Sequence, residues 1–198
     1  MSYPASIVSR PSYLVNAQYV LTENAMYIPL AYIQKPFLDL EERGIEYNLA
    51  YMGFTIAHEI SHALDDFGSQ YDYKGDLYDW WTKEDKTKYK KIQNEIIKQY
   101  ETFASYDDFN FNASSTIGED IADISGLSIC EEYLRDIHIK NKNIPVISRQ
   151  SYKDFYIYFT YQMRQQIKKK SIQYESIKNP HPLDKYRATS KSCNIFRC

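Results

Sequence analysis

The chain has 198 residues, enough for one domain or one large half of a domain. Its formal net charge is −2, with 24 basic against 26 acidic residues, so no global attraction to nucleic acid or anionic lipid is implied. Three cysteines, Cys130, Cys193 and Cys198, are too few for a disulfide scaffold; Cys193 and Cys198 could pair or could be free thiols.

Residues 1–12 carry Pro4 and Pro11 and are expected to be loose; a single domain is expected over 13–198. The N-terminal stretch has no apolar run of signal-peptide length, and nothing downstream is long enough to span a bilayer. As written, the chain reads as soluble, with no export route of its own. Residues 13–20 and 25–30 read as two short strands joined by a turn at 22–24. Loop and short helix follow over 34–42. A helix is expected over 46–66, with Gly53 and Gly68 bracketing its central motif. Residues 68–81 read as loop.

Thr82, with Asp85 three residues on, opens a further helix as a variant of the capping box. Tyr89, Ile92, Ile96, Tyr100 and Phe103 then recur on one helix face. A polar loop over 105–115 leads to a helix over 116–136 carrying Ile117, Ile121, Ile124, Leu127 and Leu134. Another helix is expected over 151–170, and an irregular tail from Asn179 with Pro180 and Pro182. The lysines around 88–91 and 168–170 read as solvated helix faces. The fold class is mainly α with a small β-sheet.

Within the 46–66 helix, His58, Glu59 and His62 form H-E-x-x-H. Residues four apart share a helix face, so the two imidazoles can hold one Zn²⁺. Glu59 can reach a water on the open side of the metal and act as general base. A third ligand must come from another element. Glu119 and Asp123 share a face of the 116–136 helix: Glu119 can ligate while Asp123 accepts the free N–H of a ligand histidine. An acidic, solvated first turn suited to the helix dipole would look the same in isolation.

H-E-I-S-H followed by A-L-D-D, then G-D-L-Y-D-W-W-T, then G-E-D-I-A-D, resembles the neprilysin and endothelin-converting-enzyme family of zinc metallopeptidases. The resemblance runs from about residue 15 to 187. It implies a thermolysin-like, mainly helical catalytic domain that cleaves oligopeptides with one Zn²⁺ per chain, with a hydrophobic residue preferred after the scissile bond. By motif match it implies His58, His62 and Glu119 as ligands, Glu59 as base and Asp123 as the group orienting a ligand histidine. Asn16 and Ala17 match the strand that holds the substrate main chain. His181 matches the oxyanion-stabilising histidine, and Arg187 the arginine that grips a substrate carbonyl. Asp65 and Asp66 also match; as acids in a helix's last turn they oppose the dipole, and Asp65 can orient His62. His138 matches nothing and is expected to face solvent.

The departures are Asp120 and Ile124 for two asparagines, Ser125 for a glycine, and two absent ectodomain cysteines near Ile96 and Met163. The family's large N-terminal half, which forms a lid over the site, has no counterpart here. The chain is therefore expected to be a fragment, one piece of a split protein whose lid is a separate partner chain, or a minimal enzyme. The alternative to a peptidase is a zinc-holding but catalytically incompetent binding module.

Overall fold

The computed structural model describes residues 11–140 and 148–187. The expectations for residues 1–10, for Cys193 and Cys198, and for the His138 side chain lie outside the described residues. Two short antiparallel strands come first, β1 (Gln18–Val20) and β2 (Ala25–Tyr27), with Gln18 opposite Tyr27 and Val20 opposite Ala25. Both are shorter than the sequence suggested. A turn with a Leu14 N–H to Pro11 C=O bond precedes β1, and Pro29, which has no N–H for a ladder, leads into a 3₁₀ turn after β2. The connection is a 3₁₀ turn (Leu21–Glu23) closed by Asn24 in the left-handed region.

Helix α1 occupies 45–64 in four consecutive pieces. Ile45–Asn48 is α-helical, Leu49–Gly53 is a π segment, Phe54–Ser61 is α-helical again, and His62–Leu64 is a 3₁₀ turn. Gly53 ends the π segment, directly ahead of the Phe54–Ser61 α-helix. Asn48 anchors the start of α1: its Nδ2 donates to the Asp39 and Gly44 carbonyls, and its Oδ1 accepts from the Asp39 N–H. The helix ends earlier than expected because Asp65 is extended (ψ −169°) and turns its Oδ1 onto the N–H groups of Phe67 and Gly68. Asp65 and Asp66 thus lie beyond the last turn and do not oppose its dipole.

Helix α2 (Lys83–Ser105) opens as the capping sequence predicts: Asp85 N–H donates to Thr82 Oγ1 at 3.1 Å. Helix α3 (Ile117–Lys140) is the central element. Its N-terminal half packs Ile117, Ile121 and Ile124 against Ile96 and Tyr100 of α2 and Leu183 and Tyr186 of the C-terminal segment. Its C-terminal half packs Leu127, Cys130 and Leu134 against Phe54 and Ala57 of α1 and Phe155 and Phe159 of α4 (Arg149–Gln162). A helix serving two cores needs apolar residues on more than one face.

Helix α4 stops well short of residue 170. Met163, just past its end, is buried, Arg164, Gln165 and Gln166 are exposed, and Ile167 packs against the other core, so the chain leaves the helix there. The tail is less irregular than the prolines suggested, with α5 at Ile172–Lys178 and a single turn, α6, at Asp184–Arg187. No helix among the described residues is long and apolar enough to cross a membrane.

Helices α1 and α3 approach most closely at Gly126. A Cβ there would lie 3.1 Å from the His58 backbone nitrogen and 3.3 Å from its Cα. We expect Gly126→Leu to destabilise the chain by about 1–3 kcal/mol through overpacking, even though leucine is the better helix former by nearly 1 kcal/mol. Chemical denaturation of the two proteins measures the balance, and a stabilised variant would show that the helices part freely.

Candidate metal centre and active site

One turn of α1 brings His58 Nε2 and His62 Nε2 to 3.1 Å of one another. Glu119, on the first turn of α3, places Oε2 3.2 Å from His58 Nε2 and 3.6 Å from His62 Nε2. Tetrahedral ligands on bonds of about 2.0–2.1 Å stand roughly 3.3 Å apart, so the spacing suits a zinc ion. The donor chemistry agrees. Glu119 Oε2 is buried and makes no hydrogen bond of good geometry.

Both imidazoles are held from behind by a carboxylate. His58 Nδ1 lies 2.9 Å from Asp123 Oδ1, and His62 Nδ1 lies 2.7 Å from Asp65 Oδ2. A carboxylate only accepts, so each Nδ1 carries the proton and each Nε2 turns its lone pair to the centre. Three lone pairs converging on one point repel unless a cation sits among them. The fit to a metal ion with two histidines, one carboxylate and an open fourth side is good.

The electrostatics point the same way. Burial alone would lower the His58 pKa, but the neighbouring Asp123 and Glu119 carboxylates outweigh it and lift the value to about 9. Burial would raise the Glu119 carboxyl, yet His181 and His58 hold it well below the usual carboxylate range. The field that draws a proton onto these groups also draws a cation. Glu59 differs: burial pushes its carboxyl upward, and the nearby His58 and His62 only partly offset this. Its neighbour in sequence, His58, is committed to the centre, which leaves Glu59 at the side facing β1.

His181 reaches the centre from the C-terminal segment, with Nε2 2.9 Å from Glu119 Oε2 and its ring 6.0 Å from that of His58. Asn179 Oδ1 accepts from the His181 backbone N–H at 3.0 Å and faces its Nδ1 at 3.2 Å. That asparagine was missed in the sequence, where its only signal was a polar side chain two residues before a histidine flanked by prolines.

Arg187 forks its Nε and Nη2 onto Asp123 at 2.7 and 2.8 Å, a pairing compatible with the substrate-carbonyl role that the resemblance implies. Asp123 is fully buried, and the charge of Arg187 outweighs that burial to hold its carboxyl well below the usual range. Asn16 and Ala17 precede β1, Asn16 exposed and Ala17 buried, and neither belongs to the ladder. Asp120, which replaces an asparagine, is also fully buried. Burial pushes its pKa to about 9, and Thr116 Oγ1 donates to it at 3.0 Å, so the side chain behaves as a neutral acid in an amide's place.

A histidine pair and a glutamate on two helices, backed by carboxylates, make a candidate metal centre on a thermolysin-like helical frame. The chain belongs to peptidase family M13, whose family model matches residues 16–196. It is 28% identical over 194 residues to the endothelin-converting enzyme homolog of Locusta migratoria, covering 93% of this chain and 26% of that protein. It is 37% identical over 121 residues to the neutral endopeptidase of Lactococcus lactis subsp. cremoris, covering 60% of this chain and 18% of that one. Among solved structures, the zinc metalloprotease ZMP1 of Mycobacterium tuberculosis in complex with an inhibitor superposes with a TM-score of 0.80 at 28% identity. That match covers 91% of this chain and 28% of the other. The chain therefore spans about a quarter of the length of these relatives.

The Arg187–Asp123 pair gives a direct expectation. Arg187→Ala leaves a buried carboxylate uncompensated and should cost about 3–5 kcal/mol, read by urea denaturation. It should also weaken zinc, because Asp123 then orients His58 less firmly. Asp123→Ala should weaken zinc by about 10- to 100-fold, measured by competition with a chromogenic chelator. Unchanged stability and zinc affinity in Arg187→Ala would show that the pair neither stabilises the core nor aims His58.

Proposed function

We propose that the chain is the catalytic region of a zinc-dependent endopeptidase that hydrolyses oligopeptides, with one zinc per chain on His58, His62 and Glu119. The observation that carries this is the convergence of those three donors, with Glu59 buried beside them. Zinc bound there would supply a Lewis acid that polarises a carbonyl and acidifies a water.

The chain's own groups do the rest. The substrate lies along the free edge of β1, where an extended peptide can complete main-chain hydrogen bonds. Asn16 and the Ala17 backbone hold it in place. Glu59 takes a proton from the attacking water and delivers it to the leaving nitrogen. A carboxyl raised by burial suits both transfers, since a base poised nearer neutrality also serves as an acid. His181 Nε2 donates to the carbonyl oxygen as negative charge develops there, a contact stronger in the transition state than in the ground state. Arg187, held beside the centre by Asp123, grips a substrate carbonyl.

Cleavage of an internally quenched peptide, with and without chelator, tests the proposal and separates a peptidase from a module that holds zinc and binds peptides without cutting them. Glu59→Gln should keep zinc and fold while losing about 10²–10⁴-fold in kcat. His181→Ala should lower kcat by about 10²–10³-fold with little change in KM. Glu59→Gln cleaving at the parent rate would remove it as the base.

A further inference from the structure

Beside the metal centre lies a cavity of about 350 Å³ that the chemistry above does not use. It is lined by Tyr19 and Leu21 from the β1 end, Ala63 and Leu64 from the end of α1, and Tyr71 and Trp80 from the following loop. Its volume is at the lower end of the range for ligand pockets, about 300–1,000 Å³. Most of the lining is apolar, and Leu64 and Trp80 remain about half exposed, at 51% and 46%. The cavity thus opens to solvent and has room for about one large side chain.

Its walls are fixed in advance. Trp80 Nε1 donates to the Tyr71 carbonyl at 2.9 Å, and Asn24 Nδ2 donates to the Tyr73 carbonyl at 2.9 Å. The Tyr19 hydroxyl donates to Asn24 Oδ1. Gly75, at φ +80°, presses the loop onto the β1–β2 turn so closely that a Cβ would lie 2.2 Å from the Thr22 carbonyl oxygen. A preformed pocket spares a ligand the cost of ordering it.

The cavity's place in the fold says what it receives. Strand β1 packs against α1, the helix that carries Glu59. Asn16 and Ala17 come before that contact; Leu21, on the cavity wall, comes after it. Ala63 directly follows His62. A peptide added to the free edge of β1 therefore passes the reacting centre with one flank toward Asn16 and the other toward this cavity. We propose that the cavity is a side-chain subsite for an aromatic or large aliphatic residue of the peptide substrate, on the flank of the scissile bond opposite Asn16 and Ala17. This rests on the peptidase reading above.

The test uses the full chain loaded with zinc and a set of octapeptides in which a single phenylalanine replaces alanine at each position in turn, with cleavage sites mapped by mass spectrometry. One position on one flank should raise kcat/KM by about 10- to 200-fold over the alanine peptide. Ala63→Trp, which fills the cavity, should bring that ratio close to one. Trp80→Ala, which removes an exposed wall and spares the core, should lower it several-fold. Truncating the peptide on that flank should abolish the effect. A parent enzyme with no such preference, or a ratio unchanged in both variants, overturns the subsite. If the chain cleaves nothing, the peptidase reading fails, but the cavity is still tested by the affinity of Glu59→Gln for the same peptides through tryptophan fluorescence. Tighter binding of the phenylalanine peptide, lost in Ala63→Trp, supports the subsite, and equal binding of all the peptides overturns it.

Discussion

The arrangement depends first on the buried carboxylate of Asp123. It meets His58 through one oxygen and the Arg187 guanidinium through both. Those three residues come from α1, α3 and α6, and Arg187 is 64 residues from Asp123 in sequence. A carboxylate taken fully out of water costs several kcal/mol unless it is paired and hydrogen-bonded. The pairing satisfies that demand only when all three elements are in register. The same contact that makes the core tolerable therefore aims the first metal ligand.

The two hydrophobic cores meet around this carboxylate. The N-terminal half of α3 belongs with α2 and the C-terminal segment, the other half with α1 and α4. Glu119 lies on the first of these halves, whereas His58 and His62 stand on α1. The metal centre is thus built across a seam. Its donors are held by packing on both sides, and a cation bound there would tie the two cores together. Metal binding and folding free energy are coupled in such an arrangement.

Much of this was legible in the sequence where the signal is local. Four-residue spacing put His58 and His62 on one face, and likewise Glu119 and Asp123, because helix geometry needs no tertiary context. The Thr82 cap and the apolar faces of α2 and α3 were readable for the same reason. What escaped depends on burial or on distant partners. Nothing local announces that Asp123 is fully buried and takes Arg187 as its counter-charge. Helix α4 ended early because its periodicity ran on into an exposed stretch, after which Ile167 joins the other core. The strands shrank because Pro29 and the turn at Pro11 cut the ladder. Gly126, an ordinary glycine in a helical pattern, shows its purpose only when α1 lies against it.

The π segment at Leu49–Gly53 carries a consequence of its own. Its closing bond runs from the Phe54 N–H to the Leu49 carbonyl, five residues back. A π turn of this kind stores one residue more than an α-helix over the same rise. The His-Glu-x-x-His turn is therefore phased as though α1 were one residue shorter. Each residue of an α-helix turns the chain by about 100°, so tightening this stretch to an α-helix at its present length would swing both histidines away from Glu119. Removing one residue from it would leave them facing α3. The helix carries a spare residue just ahead of its ligands, and the aim of the metal centre is set by where that spare is kept.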